Sequence, residues 1–381
     1  MSSNLLWLMS TGSSAPPPST DGGLFATGSN TGGELGIGNL IDQSSLTQVG
    51  ADSTWEDIAI ARRVGAGPRG VAGIKNNALY TWGEAVFGMN GRGNTTNSSS
   101  PIQVGALTDW EAVTGGNNTF LSIKTDGTLW SWGSGSLGCL GTGSTADTSS
   151  PVQVGALTTW SEVAAGMDSV VSVRLDGTLW TWGQNFYGSL GTGTSTQNRS
   201  SPVQVGALGN WVQVTTGGSS CFAIKTDGTL WAWGRGSNGC LGTGGSVNRS
   251  SPVQVGALTD WAFVDAGRPA SNTYCHAVAI KTDKTLWTWG KGSNGQLGLG
   301  TAADQTSPVQ VGSNADWVFA FGGSECTFMV NEAGELWATG SNGDGELGLG
   351  NTTNYSSPVQ VGTFPNFLSG DSVAATTFII K

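Results

Sequence analysis

The sequence predicts an all-β chain folded as a seven-bladed β-propeller of four-stranded blades, and three observations predict it. The first is a repeat. The glycine closing each Leu-Trp-x-Trp-Gly phrase or its variant falls at Gly28, Gly83, Gly133, Gly183, Gly234, Gly290 and Gly340, at intervals of 55, 50, 50, 51, 56 and 50 residues. The second is an aromatic anchor with the same spacing to within one residue, at Trp55, Trp110, Trp160, Trp211, Trp261, Trp317 and Phe367. A period near fifty residues without 3.6-residue hydrophobic periodicity means a solenoid or propeller of strands. The third is the ending. "TTFIIK" at 376–381 has the form of "CFAIK" at 221–225, which runs on into "TDGTLWAWG", and the missing continuation stands at 20–28 as "TDGGLFATG". Joined, the two restore a whole hairpin, so the last blade is closed by strands from both termini and no sheet edge is left open between first and last blades.

Each copy reads as four strands. In the copy starting at Trp211 they are "WVQVTTG", "CFAIK", "LWAWG" and, after a glycine-rich loop, "PVQV" at 252–255. β-Branched and aromatic residues fill these runs, while Gly, Asp, Asn, Ser and Pro separate them. "KTDGT" is a hairpin turn in which Asp-Gly supplies the positive φ. The proline opening the fourth run has no N–H and places that strand at a sheet edge. In "LWTWG", Trp180 and Trp182 share one face and Leu179 and Thr181 the other, so both faces need cover. Stacked blades supply it. Burying one Trp removes about 150–250 Å² from water, an upper bound of about 4–6 kcal/mol, and the 17 Trp offset the entropy of a chain with 62 Gly.

"LWTWGQNFYGSLGTGT" (179–194) and "SPVQVGALTDW" (251–261) resemble the RCC1-type repeat, named for regulator of chromosome condensation, over residues 20–381. The regular "PVQVGALTDW" wording is closest in style to bacterial and phage repeat arrays. The resemblance implies a seven-bladed propeller that binds other macromolecules. The family also contains a guanine-nucleotide exchange factor and a plant ultraviolet photoreceptor. The photoreceptor's Gly-Trp-Arg-His-Thr signature is absent here, and no insertion matches the exchange factor's wedge.

Net charge is −10 and the charged fraction 11%, which argues against a nucleic-acid partner, since phosphate binding needs a basic face. With one histidine, His276, no Ser-His-Asp set or His-based metal site is expected, and no enzyme, cofactor or metal. "NGDGELG" at 342–348 spaces Asn342, Asp344 and Glu346 like part of a calcium loop, but it replaces "NGQLG" of another copy and reads as a structural loop. The five cysteines, 139, 221, 240, 275 and 326, are read as free thiols, because their number is odd and only Cys139 and Cys240 share a repeat position. "MSSNLLWLMS" has no basic n-region and is not read as a signal peptide, and no stretch is long enough to insert in a membrane.

Departures from the repeat nominate the functional residues. From the anchoring Trp to the end of the second strand is 14 residues in most copies and 20 from Trp55 to Lys75 and from Trp261 to Lys281. The extra residues lie in "ARRVGAGPRG" and "DAGRPASNTYCHA", on the rim that also carries the long loops. Arg62, Arg63, Arg69, Arg268, Tyr274 and His276 are therefore the expected partner-binding residues, being types common at binding hot spots. The segment 1–19 is expected to be an N-terminal arm, its apolar run Leu5, Leu6, Trp7, Leu8 and Met9 serving as an assembly anchor before a Pro-rich linker. Together these readings give a non-catalytic binding or structural propeller at 20–381. It would be a component of a larger assembly such as a phage virion, its arm contacting other proteins of that assembly and its rim a cell-surface protein or glycan. The alternatives are a cytoplasmic or exported bacterial protein-protein interaction module or an exchange-factor-like regulator.

Overall fold

The computed structural model describes residues 22–63, 66–268 and 275–381, apart from the side chains of residues 63–69 and Leu208. Seven antiparallel four-stranded sheets account for the described strands. Blade 1 consists of Trp55–Arg63, Ala66–Lys75, Ala78–Gly83 and Ser98–Gln103. Blades 2 to 6 start at Trp110–Gly115, Trp160–Ala165, Trp211–Gly217, Trp261–Ala266 and Trp317–Gly322. The fourth strands are edges, as expected, although pairing starts before the proline: Ser98 opposes Gly83, and Pro101 lies inside Ser98–Gln103. No helix among the described residues is long and apolar enough to cross a membrane.

The closing blade runs, outermost strand first, Gln43–Gln48, Leu24–Gly28, Thr376–Ile380 and Ser369–Val373. Leu24 pairs with Ile380 and Gly28 with Thr376, and the backbones of Gly23 and Lys381 exchange two hydrogen bonds. The ends of the ring are thus sealed by the hairpin the sequence implied.

Within a blade the polar repeat residues hold the aromatic ones. At Asp227-Gly228, where Gly228 has φ +74°, the Asp227 carboxylate accepts from the Thr229 N–H and hydroxyl, and that hydroxyl accepts from Trp231 Nε1 at 2.8 Å. Trp160 meets both Trp180 and Trp182 edge to face, which puts those two on one face. The lysine ending the second strand covers the aromatics: Lys225 Nζ stands 4.6 Å from the Trp211 ring and 3.9 Å from Trp231, a cation–π pair that explains the recurring "IK".

Between blades the second tryptophan of the phrase is a latch. Trp82, Trp132, Trp182, Trp233 and Trp289 each donate Nε1 to a loop carbonyl of the preceding blade, on Glu34, Met89, Cys139, Ser189 and Cys240, at 2.8–3.0 Å. The ring lies flat on a glycine two residues further on. At Gly141 (φ +71°) a Cβ would stand 2.7 Å from the Trp182 indole nitrogen, so no larger residue fits. Two blades carry Thr in place of this Trp, and the hydroxyl takes over: Thr339 and Thr27 donate to the carbonyls of Gly295 and Gly345, each at 2.9 Å.

The first strands form the inner ring, each against its neighbours. Their exposed N–H groups would be orphans, and side chains from the adjacent blade satisfy several of them. Asp57 accepts from Val113 N, Glu162 from Val214 N, Asp265 from Gly322 N and Asp371 from Ile60 N, at 2.8–2.9 Å. Gln213, at the repeat position of Glu162, bonds both the N–H and the carbonyl of Val264. Burial pushes the Asp57 carboxyl up to about 7 and Glu162 up to about 8, and raises Asp265 as well.

The cysteines correct the sequence reading. Cys240 and Cys275 form a disulfide with Cα atoms 5.5 Å apart, while Cys139, Cys221 and Cys326 are buried thiols. Cys240 is in the loop of blade 4 that latches Trp289, and it meets the residue preceding the second strand of blade 5. Repeat position could not reveal the pair, because the partners belong to different positions on different blades. Two blades earlier, the same two positions hold Cys139 and Asp168, and burial first and then the Asp168 charge raise the Cys139 thiol.

Three outcomes are expected. Deleting 376–381 removes Phe378, Ile379 and Ile380, all without exposure, and should cost several kcal/mol at about 1.5–3 kcal/mol per buried side chain; a truncated chain with unchanged thermal melting would refute the closure. Reduction, or Cys240→Ser, should lower stability by about 3–4 kcal/mol on loop-entropy grounds, read as a fall in Tm that a second addition of reductant does not deepen. The buried carboxyls bind protons in the fold that they release when unfolded, so their stabilisation is complete below about pH 4 and is lost as pH rises through 7 to 8. Glu162→Gln can reproduce the Gln213 bonds, so its Tm should match that of the parent at pH 4 and exceed it at pH 8. The gain there reflects a few kcal/mol of stability, at about 1.36 kcal/mol for each tenfold change in proton affinity; equal Tm at both pH values would contradict the assignment.

Candidate functional site

Both insertions lie on the rim where the first-to-second and third-to-fourth strand connections emerge, and their described residues Arg62 and Arg268 reach across to other blades. In blade 1 the extra residues lengthen the hairpin, Arg62 pairing with Pro68 and Arg63 with Ala66. Arg62 N donates to the Gly116 carbonyl and Asn118 N to the Arg62 carbonyl, at 3.0 and 2.8 Å, which lays the hairpin along the first turn of blade 2. The Arg62 side chain is 2% exposed, and its Nε, Nη1 and Nη2 have no hydrogen-bond partner. Burial and then the nearby Arg268 charge pull it down to about 9, with Asp168 opposing.

Arg268 crosses the mouth of the central channel. From the insertion of blade 5 its guanidinium donates to the Gly115 carbonyl of blade 2 and to Asp371 of the closing blade, while Ser324 Oγ donates to its carbonyl at 2.7 Å. Beneath it a cavity of about 40 Å³ is lined by Thr114, Glu162, Thr215, Asp265 and Asp371, room for a few waters. His276 is not in the insertion at all. It opens the second strand of blade 5 opposite Gly290, has no exposure, bonds Thr327 Oγ1 through Nε2 at 2.9 Å, and is pushed down to about 4 by burial. A partner could touch Arg62 or His276 only after the surrounding backbone moved. The side chains of Arg63, Arg69 and Tyr274, like residues 1–19 with Leu5–Met9, lie outside the described residues.

The displayed part of this rim is a set of loop tips that the sequence reading passed over. After the third strand, blades 1 to 4 make a short turn whose middle residue is left-handed: Phe87 (φ 57°), Leu137 (59°), Tyr187 (62°) and Asn238 (57°). Asn tolerates that region; Phe, Leu and Tyr do not, and each costs on the order of 1–3 kcal/mol. Phe87 is 45% exposed, Phe186 61% and Tyr187 36%. The turn is chosen by the latch residue. In the later loops Gln296 and Glu346 accept from the tip N–H of Asn294 and Asp344, and Glu34 from Gly32. Met89, Cys139, Ser189 and Cys240 stand at that place in blades 1 to 4. Glu346 is thereby committed to its own loop, and the described residues contain no cluster of three or more acidic, His or Cys side chains able to hold a metal.

Over blades 1 to 3 the tips border a groove of about 870 Å³, lined by Phe87, Leu137, Asn117, Asn118, Asp147 and Asp168 together with Ser and Thr hydroxyls. Tyr187 is covered by Arg235, whose guanidinium lies 4.6 Å from its ring; at the position of Arg235 the blade facing Phe87 has the small Ser134, which leaves that ring open to the groove. Asn118 Nδ2 donates to Asn117 Oδ1 at 3.2 Å and Asn117 Nδ2 to Asp168 Oδ1 at 3.0 Å. Asn118 Oδ1 is buried without a partner, and burial raises the Asp168 carboxyl. A string of tip residues one place before a repeated Gly, "F-G", "L-G", "Y-G", "N-G", was the available sequence signal.

The crystal structure of human WBSCR16 superposes with a TM-score of 0.80 at 17% identity, covering 94% of this chain and 98% of that one. Prp20p of Saccharomyces cerevisiae gives 0.80 at 17% identity, covering 95% and 92%. At such identities the likeness is one of fold. Among curated proteins, the ultraviolet-B receptor UVR8 of Arabidopsis thaliana is 31% identical over 101 residues, 26% of this chain and 22% of the receptor. The serine/threonine-protein kinase Nek8 of Danio rerio is 30% identical over 104 residues, 27% of this chain and 14% of the kinase. Each match thus spans less than a quarter of the relative's length. The profile of the RCC1-like domain matches residues 19–322 and that of the regulator of chromosome condensation (RCC1) repeat residues 333–375, and with seven closed blades of this repeat the chain belongs to the RCC1-like family.

Proposed function

We propose that this chain is a non-catalytic recognition propeller, its ring a rigid support and its loop rim the binding surface. The observation that carries the reading is the run of three bulky residues, Phe87, Leu137 and Tyr187, held left-handed at successive tips. Such strain persists where the surroundings over-determine it and clusters at binding sites. The family likeness supports protein binding in general: the Prp20p structures are described by binding to Gsp1p and histones and by a complex with Kap60. Arg268, partly exposed at the channel mouth, and the insertion residues Arg63, Arg69 and Tyr274 are proposed as further partner contacts. Residues 1–19, with the apolar run Leu5–Met9, would tether the ring to a larger assembly. A virion is the first assembly to test, on the strength of the repeat wording alone, and a free cytoplasmic module is the alternative.

Glycine adopts the left-handed region without strain. A triple replacement of Phe87, Leu137 and Tyr187 by Gly should therefore leave Tm unchanged or higher, while capture of the partner from the native source by the full chain is lost. Undiminished capture would refute recognition by the tips. Deleting residues 1–19 should abolish co-sedimentation with the parent particle and leave tip-dependent capture intact.

A further inference from the structure

We propose that the groove over blades 1 to 3 binds a neutral carbohydrate, an inference that rests on the recognition reading above and names its ligand class. The groove has the volume of a small-molecule site, about 300–1,000 Å³, at about 870 Å³. Its lining combines an open aromatic face, Phe87, and an aliphatic one, Leu137, with hydroxyl, carboxamide and carboxylate groups. A pyranose has the same division. Its axial C–H face is apolar and weakly positive and suits the negative face of a ring, and its rim is a belt of hydroxyls that both donate and accept.

The charges select among ligands. Among the described lining residues Asp147 and Asp168 are the charged ones and none is a lysine or arginine, so phosphate, sulfate and acidic sugars are disfavoured there, whereas sugar hydroxyls can donate to both carboxyl groups. Asp147 Oδ1 already accepts from Gly135 N at 2.9 Å and is held in place by it. Asn118 adds an independent sign. It is nine-tenths buried, its amide nitrogen is engaged with Asn117, and its Oδ1 has no donor. A buried acceptor left open in this way calls for an O–H or N–H donor. The Asn118–Asn117–Asp168 chain fixes the direction of that acceptor. A basic peptide could also meet the carboxylates, but it would leave the aromatic and aliphatic walls without a reason to be exposed side by side at strained positions.

The full-length chain should be screened on an array of neutral and acidic glycans with a basic hexapeptide as control, and the best neutral oligosaccharide titrated by calorimetry. A neutral glycan is expected to bind, Phe87→Gly to weaken it by about tenfold or more with unchanged Tm, and Asn118→Ala to weaken it while Leu175→Ala, at an exposed turn away from the groove, does not. Binding of acidic glycans only, capture of the basic peptide at this groove, absence of any neutral binder, or indifference to Phe87→Gly would each overturn the assignment. If partner capture still depends on the tips while no glycan binds, the recognition reading stands and the carbohydrate assignment alone fails.

Discussion

The ring depends on one contact made seven times: a side-chain donor at the end of a third strand, inserted under the loop of the preceding blade and bonded to its carbonyl. Blades of a propeller share no sheet hydrogen bonds along their faces, so their spacing is set by side chains. A tryptophan fixes that spacing by its area and its direction by the indole N–H. The glycine beneath it is the matching requirement, because the ring occupies the space a Cβ would take. Where threonine replaces tryptophan at 27 and 339 the bond moves by one residue, from the latch position to the glycine before it, and the loop there adopts the turn stabilised by Gln or Glu. The residue at the latched position, Gln or Glu against Met, Ser or Cys, decides which loops end in a left-handed tip and so which part of the rim is displayed.

What was legible in the sequence was what repeats. Trp and Gly spacing, the Asp-Gly hairpins, the edge proline and the shared last blade are local patterns or fixed offsets, and each has a local physical cause. What was illegible joins different repeat positions across the ring. Arg268 bonds Gly115 and Asp371, which lie 153 and 103 residues away, and Cys240 meets Cys275 across a blade boundary. No periodicity encodes these. Arg62 and His276 show a second limit. Their residue types suggested a binding surface, yet one continues a hairpin laid along blade 2 and the other sits in a strand, and residue type does not report direction.

The inner ring shows how an edge is managed without a partner strand. First strands expose N–H groups to the channel, and carboxyl or carboxamide side chains of the neighbouring blade take them up. At Asp57, Glu162 and Asp265 burial raises the carboxyl above its usual range, so that part of the channel wall carries less charge than the sequence suggests near neutral pH. Arg268 supplies the one described cation across the mouth, bound to the carboxylate of Asp371.

The closing hairpin has a mechanical consequence. Leu24 and Ile380 pair at the same end of the sealed strands, so segments attached before Leu24 and after Ile380 leave from one point. Tension between two such attachments would peel the strands apart one hydrogen bond at a time, as a zipper opens, and would not shear them all at once. Tension on one attachment alone spreads into the whole ring through its blades. The fold is thus suited to hanging from a single end, and a load carried through both ends would open it at the seam first.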